Sequence, residues 1–120
     1  MSNAPDQAGA AFGAVAGAAA RGGTLRDAGS GRYCLVGAMT MATVAALRAA
    51  GLRAFAASSG AIEIDLGEVV RADSGGLALL IDWLAWARAA GRTMHITAVP
   101  AALLALARLS GVEEFLAPSA

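Results

Sequence analysis

Between residues 62 and 91 the hydrophobic pattern changes period once, and that change limits the possible folds more than any other feature of the chain. Ile62-Glu63-Ile64-Asp65-Leu66 alternates apolar and polar side chains before Val69-Val70, which predicts a β-strand running toward a loop. Leu77, Leu80, Ile81 and Leu84 then fall at i, i+3, i+4 and i+7, which predicts a helix with one apolar stripe ending near Gly91. A strand followed so closely by an amphipathic helix is the building unit of layered α/β proteins.

The flanking sequence continues the alternation. Thr24–Ala28 and Arg32–Ala38 lie on either side of Gly29-Ser30-Gly31, a triplet suited to a turn with positive φ, and read as a hairpin. From Met41 to Ala50, Val44 and Leu47 recur at helical spacing, and Gly51 stands where a helix would end, with a ragged continuation to Phe55. Thr93–Val99 reads as a further strand. Pro100 is placed to open a last helix carrying Leu103, Leu106 and Ala107, Gly111 to end it, and Val112–Leu116 to add a closing turn. The predicted order is β-β-α-β-α-β-α, a mixed sheet of about four strands with crossover helices. At 120 residues the chain has material for one core. We assign that domain to residues 24–120 and read residues 1–23, Ala/Gly-rich and closed by Gly22-Gly23, as a flexible extension.

Composition narrows the function. Hydrophobic residues make up 58%, but 33 positions are alanine and six are aromatic, a profile suited to closely packed helices. Nine basic residues, none of them lysine, balance nine acidic ones without clustering, so the electrostatic footprint of a nucleic-acid binder is missing. Cys34 is the only cysteine, which excludes an internal disulfide framework and cysteine-rich zinc motifs and points to a reducing, cytoplasmic setting. The uncharged run Ala8–Ala20 is too short and too weakly apolar for direct membrane insertion. Without a glycine-rich loop carrying lysine, no nucleotide cofactor is expected, and no metal site either.

The chemistry-bearing motif is Asp73-Ser74-Gly75-Gly76, at the junction of predicted strand and helix. A carboxylate or hydroxyl at a helix start accepts a hydrogen bond from an otherwise unpaired N–H, and glycines after it would leave amides open to an incoming group at the positive end of the dipole. The plainer account is an N-cap alone, with the glycines serving the turn. Asp-Ser-Gly-Gly also surrounds the nucleophile of chymotrypsin-like serine proteases. That reading fails here, since the sole histidine, His95, lies in a predicted strand, Leu77 stands where those enzymes carry proline, and 120 residues cannot build paired barrels. No catalytic residue is assigned.

Strand, loop, Asp73-Ser74-Gly75-Gly76 and apolar helix together resemble the signature of STAS domains, the family that includes anti-sigma-factor antagonists and the C-terminal domains of sulfate transporters. Ile64-Asp65-Leu66 through Val69, the run Asp73–Leu80 and the stretch to Gly91 look most like the MlaB branch, small cytoplasmic subunits of Mla phospholipid-transport ABC complexes; Leu35–Thr40 and Thr43-Val44 resemble its second strand and helix entry. The resemblance implies a non-catalytic protein that binds the ATPase subunit through Ser74, with Asp73 holding the loop, at the cytoplasmic side of the inner membrane. The alternative it implies is an anti-sigma-factor antagonist that switches partners when a serine kinase acts. Antagonists commonly carry Asp-Ser-Ser-Gly or Asp-Ser-Thr-Gly; Gly75 lacks the second hydroxyl, which weakens the phosphorylation switch, although Ser74 remains a site for modification.

A second apolar stripe, Leu79, Trp83, Trp86 and Ala90 at i, i+4, i+7 and i+11, is predicted to face away from the first. Tryptophans on an outward face usually mark a binding surface; the plainer account is that one or both rings fold over a neighbouring helix or cover the N-terminal segment. Leu79, Trp83 and Trp86 therefore join Asp73, Ser74, Gly75 and Gly76 as candidate partner-binding residues, and the same stripe could pair two copies of the isolated chain.

Overall fold

The computed structural model describes residues 22–116, so the extension expected over residues 1–23 lies outside it except for its last two residues. The elements are β1 (Thr24–Gly29), β2 (Arg32–Met39), α1 (Val44–Ala56), β3 (Ile62–Ala72), α2 (Ser74–Ala89), β4 (Met94–Thr97), α3 (Ala101–Leu109) and a closing 3₁₀ turn (Glu113–Phe115). The β-β-α-β-α-β-α order is the one the sequence predicts. The hairpin turns through Gly29, Ser30 and Gly31, all at positive φ.

The sheet order is β1-β2-β3-β4. β1 pairs antiparallel with β2, whereas β2–β3 and β3–β4 are parallel. Both crossovers step across the sheet in one direction, so right-handed connections place α1 and α2 on a single face. Burial agrees with that placement. Leu35, Met39, Ile62, Ile64, Leu66 and Ile96 are buried inward, while Glu63, Asp65, Glu68 and His95 alternate outward. The protein is thus one sheet under one layer of helices.

β3 runs through Val69-Val70 to Ala72 before the loop at Asp73, as expected, with β2 paired to it as far as Met39↔Ala72 through two register shifts. β4 is shorter than the expected Thr93–Val99, spanning Met94–Thr97. α1 starts at Val44 rather than Met41 and continues through Gly51 to Ala56. Gly51 is no terminator: a Cβ there would lie 2.5 Å from Cζ2 of Trp83, so the glycine is where α1 crosses α2 at close range. Gly111, at φ +73° after α3, does end a helix as predicted.

Candidate partner-docking site

The site forms where the C-terminal ends of β2 and β3 turn into α1 and α2. Asp73, in extended conformation, is the N-cap of α2. Its Oδ1 accepts from Gly75 N at 2.8 Å and from Met41 N at 3.1 Å, and its Oδ2 accepts from Met41 N at 3.2 Å. One carboxylate therefore closes the helix start and ties it to the β2–α1 loop. That loop is braced from within by Thr43, whose Oγ1 accepts from Thr40 N and donates to Ala38 O, both at 2.9 Å.

The glycines act differently from the expectation that they leave amides open for a partner. Gly75 and Gly76 are buried, and a Cβ would stand 2.7 Å from Met41 N at the first and 2.4 Å from Met39 O at the second. Their amides are also occupied: Gly75 N donates to Asp73 Oδ1, and Gly76 N donates to Asp73 O at 3.0 Å. They let α2 begin directly against the end of β2, so Gly75 and Gly76 are corrected from contact residues to packing residues. Ser74, the first residue of α2, is exposed beside this knot.

Ser74 lies at one end of a groove of about 680 Å³ between α1, α2 and the segment after α3. Val44 and Arg48 supply one wall, Leu77, Ala78 and Ile81 the floor, and Val112 the far side. Arg48 pairs with Asp82 across the α1–α2 boundary; both are substantially exposed, so the pair adds little stability and mainly fixes two long side chains at the rim. Met41, 69% exposed, extends the apolar surface beside Asp73. Sequence reasoning missed these neighbours, although the small residues Ser74, Ala78 and Ala85 at i, i+4 and i+11 trace the outward line of α2.

The second predicted stripe is corrected more fully. Trp83 is 0% exposed and Leu79 1%, so neither can meet a partner. Trp83 packs on Gly51 and, edge to face at 5.4 Å, on Phe55. Trp86 is half-buried, its ring 5.7 Å from Phe55, with the Arg92 guanidinium 5.7 Å from the indole. The physical reason is position: α2 is the middle helix, flanked by α1 and α3, so its apolar surface is covered on both sides as well as beneath. With Leu79 and Trp83 buried, the stripe presents no continuous apolar face through which two copies could pair.

The outer sheet face is a polar grid. Arg26 Nη2 donates to Glu68 Oε2 at 2.7 Å across β2, and the Cys34 thiol donates to the same oxygen at 3.3 Å. The Arg26 hydrogen bond, helped by the one from Cys34, holds the Glu68 carboxyl below its ordinary range. Burial, reinforced by the hydrogen bond to Glu68, pushes the Cys34 thiol up, so this cysteine is a poor nucleophile. His95 stands on this face, on the far side of the sheet from α2 and Ser74.

The family model described as "Mlab, STAS domain" matches residues 23–118. The chain belongs to this STAS family. Among solved structures, the STAS domain is similar to the anti-sigma factor antagonist SpoIIAA in its unphosphorylated form, with TM-score 0.63 and 14% identity over 82% of this chain and 88% of that one. It is also similar to an anti-sigma factor antagonist from Mycobacterium paratuberculosis, with TM-score 0.57 and 24% identity over 78% and 80% of the two chains. No curated protein matches it. At these identities the two structures establish the STAS fold and nothing further about partners.

Proposed function

We propose that this STAS domain performs no chemistry and acts by docking on the ATPase subunit of an Mla-type phospholipid ABC transporter, at the cytoplasmic side of the membrane. The observation that carries the reading is the division of labour at the helix start: Asp73 is consumed in holding two loops together, which leaves Ser74 exposed at the lip of an apolar groove. A partner side chain entering there meets a hydroxyl, the positive end of α2 and the apolar surface of Val44, Ala78 and Ile81. Binding one conformation of the ATPase in preference to another would shift its population and raise its apparent stability. Among the described residues no helix is long and apolar enough to cross a membrane.

The partner-switching alternative draws on the two antagonist-like structures, whose likeness is one of fold. The packing at Gly75 weighs against it. A residue with a hydroxyl there would drive its Cβ to 2.7 Å from Met41 N, so this site does not accommodate the Asp-Ser-Ser-Gly pattern.

Co-expression with the ATPase subunit of an Mla-type transporter, followed by affinity capture, tests the reading. The wild-type chain should retain the ATPase, while Ser74→Glu, which places a charge at the lip, and Ala78→Glu, which places one on the floor, should each lose it. Normal assembly by both variants refutes the site; capture of a serine kinase in place of the ATPase refutes the transporter assignment.

A further inference from the structure

The sheet ends at β4, and beside that strand lies a second groove, of about 780 Å³, which shares no lining residue with the one at Ser74. Every residue from Met94 to Val99 lines it. Successive side chains of a strand point to opposite faces, so a cavity over one face would be lined by alternate residues; an unbroken run places this one along the edge. Leu104 of α3, with Phe115 and Leu116 at the closing turn, forms the opposite wall. Phe115 is 48% exposed.

Backbone direction shows what the edge offers. Thr93 O accepts from Ile62 N at 2.8 Å. By the two-residue period of a strand, the N–H and C=O groups of His95 and Thr97 also turn to β3, while those of Met94 and Ile96 turn the other way, toward the groove. Among the described residues no strand lies on that side. Ala98, at φ +54°, then bends the chain off the strand line. β1, at the opposite edge of the sheet, differs: a register shift between Asp27 and Gly29, together with the charges of Arg26 and Asp27, guards it against pairing.

We propose that the edge of β4 takes up an extended segment of a partner protein as a further strand, with an apolar side chain against Leu104 and Phe115 and a basic one beside Glu63 and Glu114. Backbone pairing matches the segment to β4, and the groove selects its side chains. Two carboxylates and no arginine line the groove. Arg32 approaches Glu63 only to 3.9 Å, so that carboxylate stays open to a closer cation. A second copy entering by the same edge would bring its own Glu63 and Glu114 against these, and like charges brought together oppose pairing. The site is separate from the docking surface at Ser74 and does not depend on it.

The test titrates the full nitrogen-15-labelled chain with short synthetic peptides. The parent peptide alternates valine and lysine; it should shift the amide signals of Met94, Ile96 and Phe115 and leave those of Ser74 and Ala78 in place. Two further forms carry N-methyl groups on one or the other set of alternate amides. Whichever way the strand runs, one form loses the donors that face β4 and should bind about tenfold more weakly, the equivalent of two net backbone hydrogen bonds. A valine–glutamate peptide should bind about fivefold more weakly than the parent, and Glu114→Gln should narrow that difference. Shifts centred on the groove at Ser74, parent-like binding by both methylated forms, equal binding by the glutamate peptide, or no shift at any soluble concentration would each overturn the proposal. So would signals of Met94–Thr97 that move with protein concentration before peptide is added, which would give the edge to a second copy. No ATPase is present, so this reading and the docking reading can fail separately.

Discussion

Asp73→Ala should separate the structural residue of the motif from the exposed one. The substitution removes the N-cap acceptor of Gly75 N, worth about 1 kcal/mol. It also removes the acceptor of Met41 N at 3.1 Å; a bond to a charged group on this partly exposed loop contributes about 1–2 kcal/mol. The sum, about 2–3 kcal/mol, corresponds to a fall in Tm of about 8–20 °C for a domain of this size and to a drop of about 1 M in the urea midpoint. Asp73→Asn keeps the cap and loses the charge, and should fall between Asp73→Ala and wild type. Ser74→Ala, which alters an exposed hydroxyl, should change stability by less than about 0.5 kcal/mol. The measurement is urea denaturation followed by far-UV circular dichroism for all four proteins. If Asp73→Ala unfolds within about 0.5 kcal/mol of wild type, or Ser74→Ala costs as much as Asp73→Ala, then Asp73 does not pin the two loops and the assignment of roles is wrong.

Gly76→Ala should destabilise the protein by about 1–3 kcal/mol although alanine favours a helix by about 1 kcal/mol, because the new Cβ would meet the Met39 carbonyl oxygen at 2.4 Å; an unchanged or raised urea midpoint contradicts the close approach. The depressed Glu68 carboxyl adds stability that is present above its unfolded pKa and lost as pH falls through its lower folded value. Stability measured downward from pH 6 should therefore decline less steeply in Glu68→Gln than in wild type, and identical acid limbs would show that the Arg26–Glu68 contact contributes nothing.

The fold was legible in the sequence because its signals are local. Alternation at Ile62–Leu66, the helical spacing of Leu77, Leu80, Ile81 and Leu84, and the glycines at the hairpin each depend on neighbouring residues alone. The site was only half legible. The capping role of Asp73 follows from its place before a helix, but the crowding at Gly75 and Gly76 comes from Met39 and Met41, residues more than thirty positions away that become neighbours only through β2–β3 pairing. Gly51 misleads for the same reason, since a terminator and a helix-crossing glycine look alike until Trp83 is seen beneath one of them. The tryptophan stripe misleads because periodicity assigns a helix two opposite faces, whereas α2 is covered along both flanks by α1 and α3.

That flanking arrangement also supports placing the proposed docking surface on the helical side. Parallel sheets are ordinarily covered on both faces, yet β3 alternates Ile62, Ile64 and Leu66 with Glu63 and Asp65, so its outer face is built for water. Ion pairs from Arg26 to Glu68 and from Arg32 to Glu63 lie there beside Asp65, and a partner on that face would have to desolvate these charged groups. On the helical side the core of α2 is sealed, but its first turn stands at the end of the helix layer, where α1 and the segment after α3 diverge enough to leave the groove. The short, small-residue line from Ser74 through Ala78 is where α2 is neither buried by its neighbours nor armoured with charge. A partner can gain apolar contact there without breaking any hydrogen bond that the domain needs for its own stability, because Asp73, Gly75 and Gly76 have already closed the helix start from within.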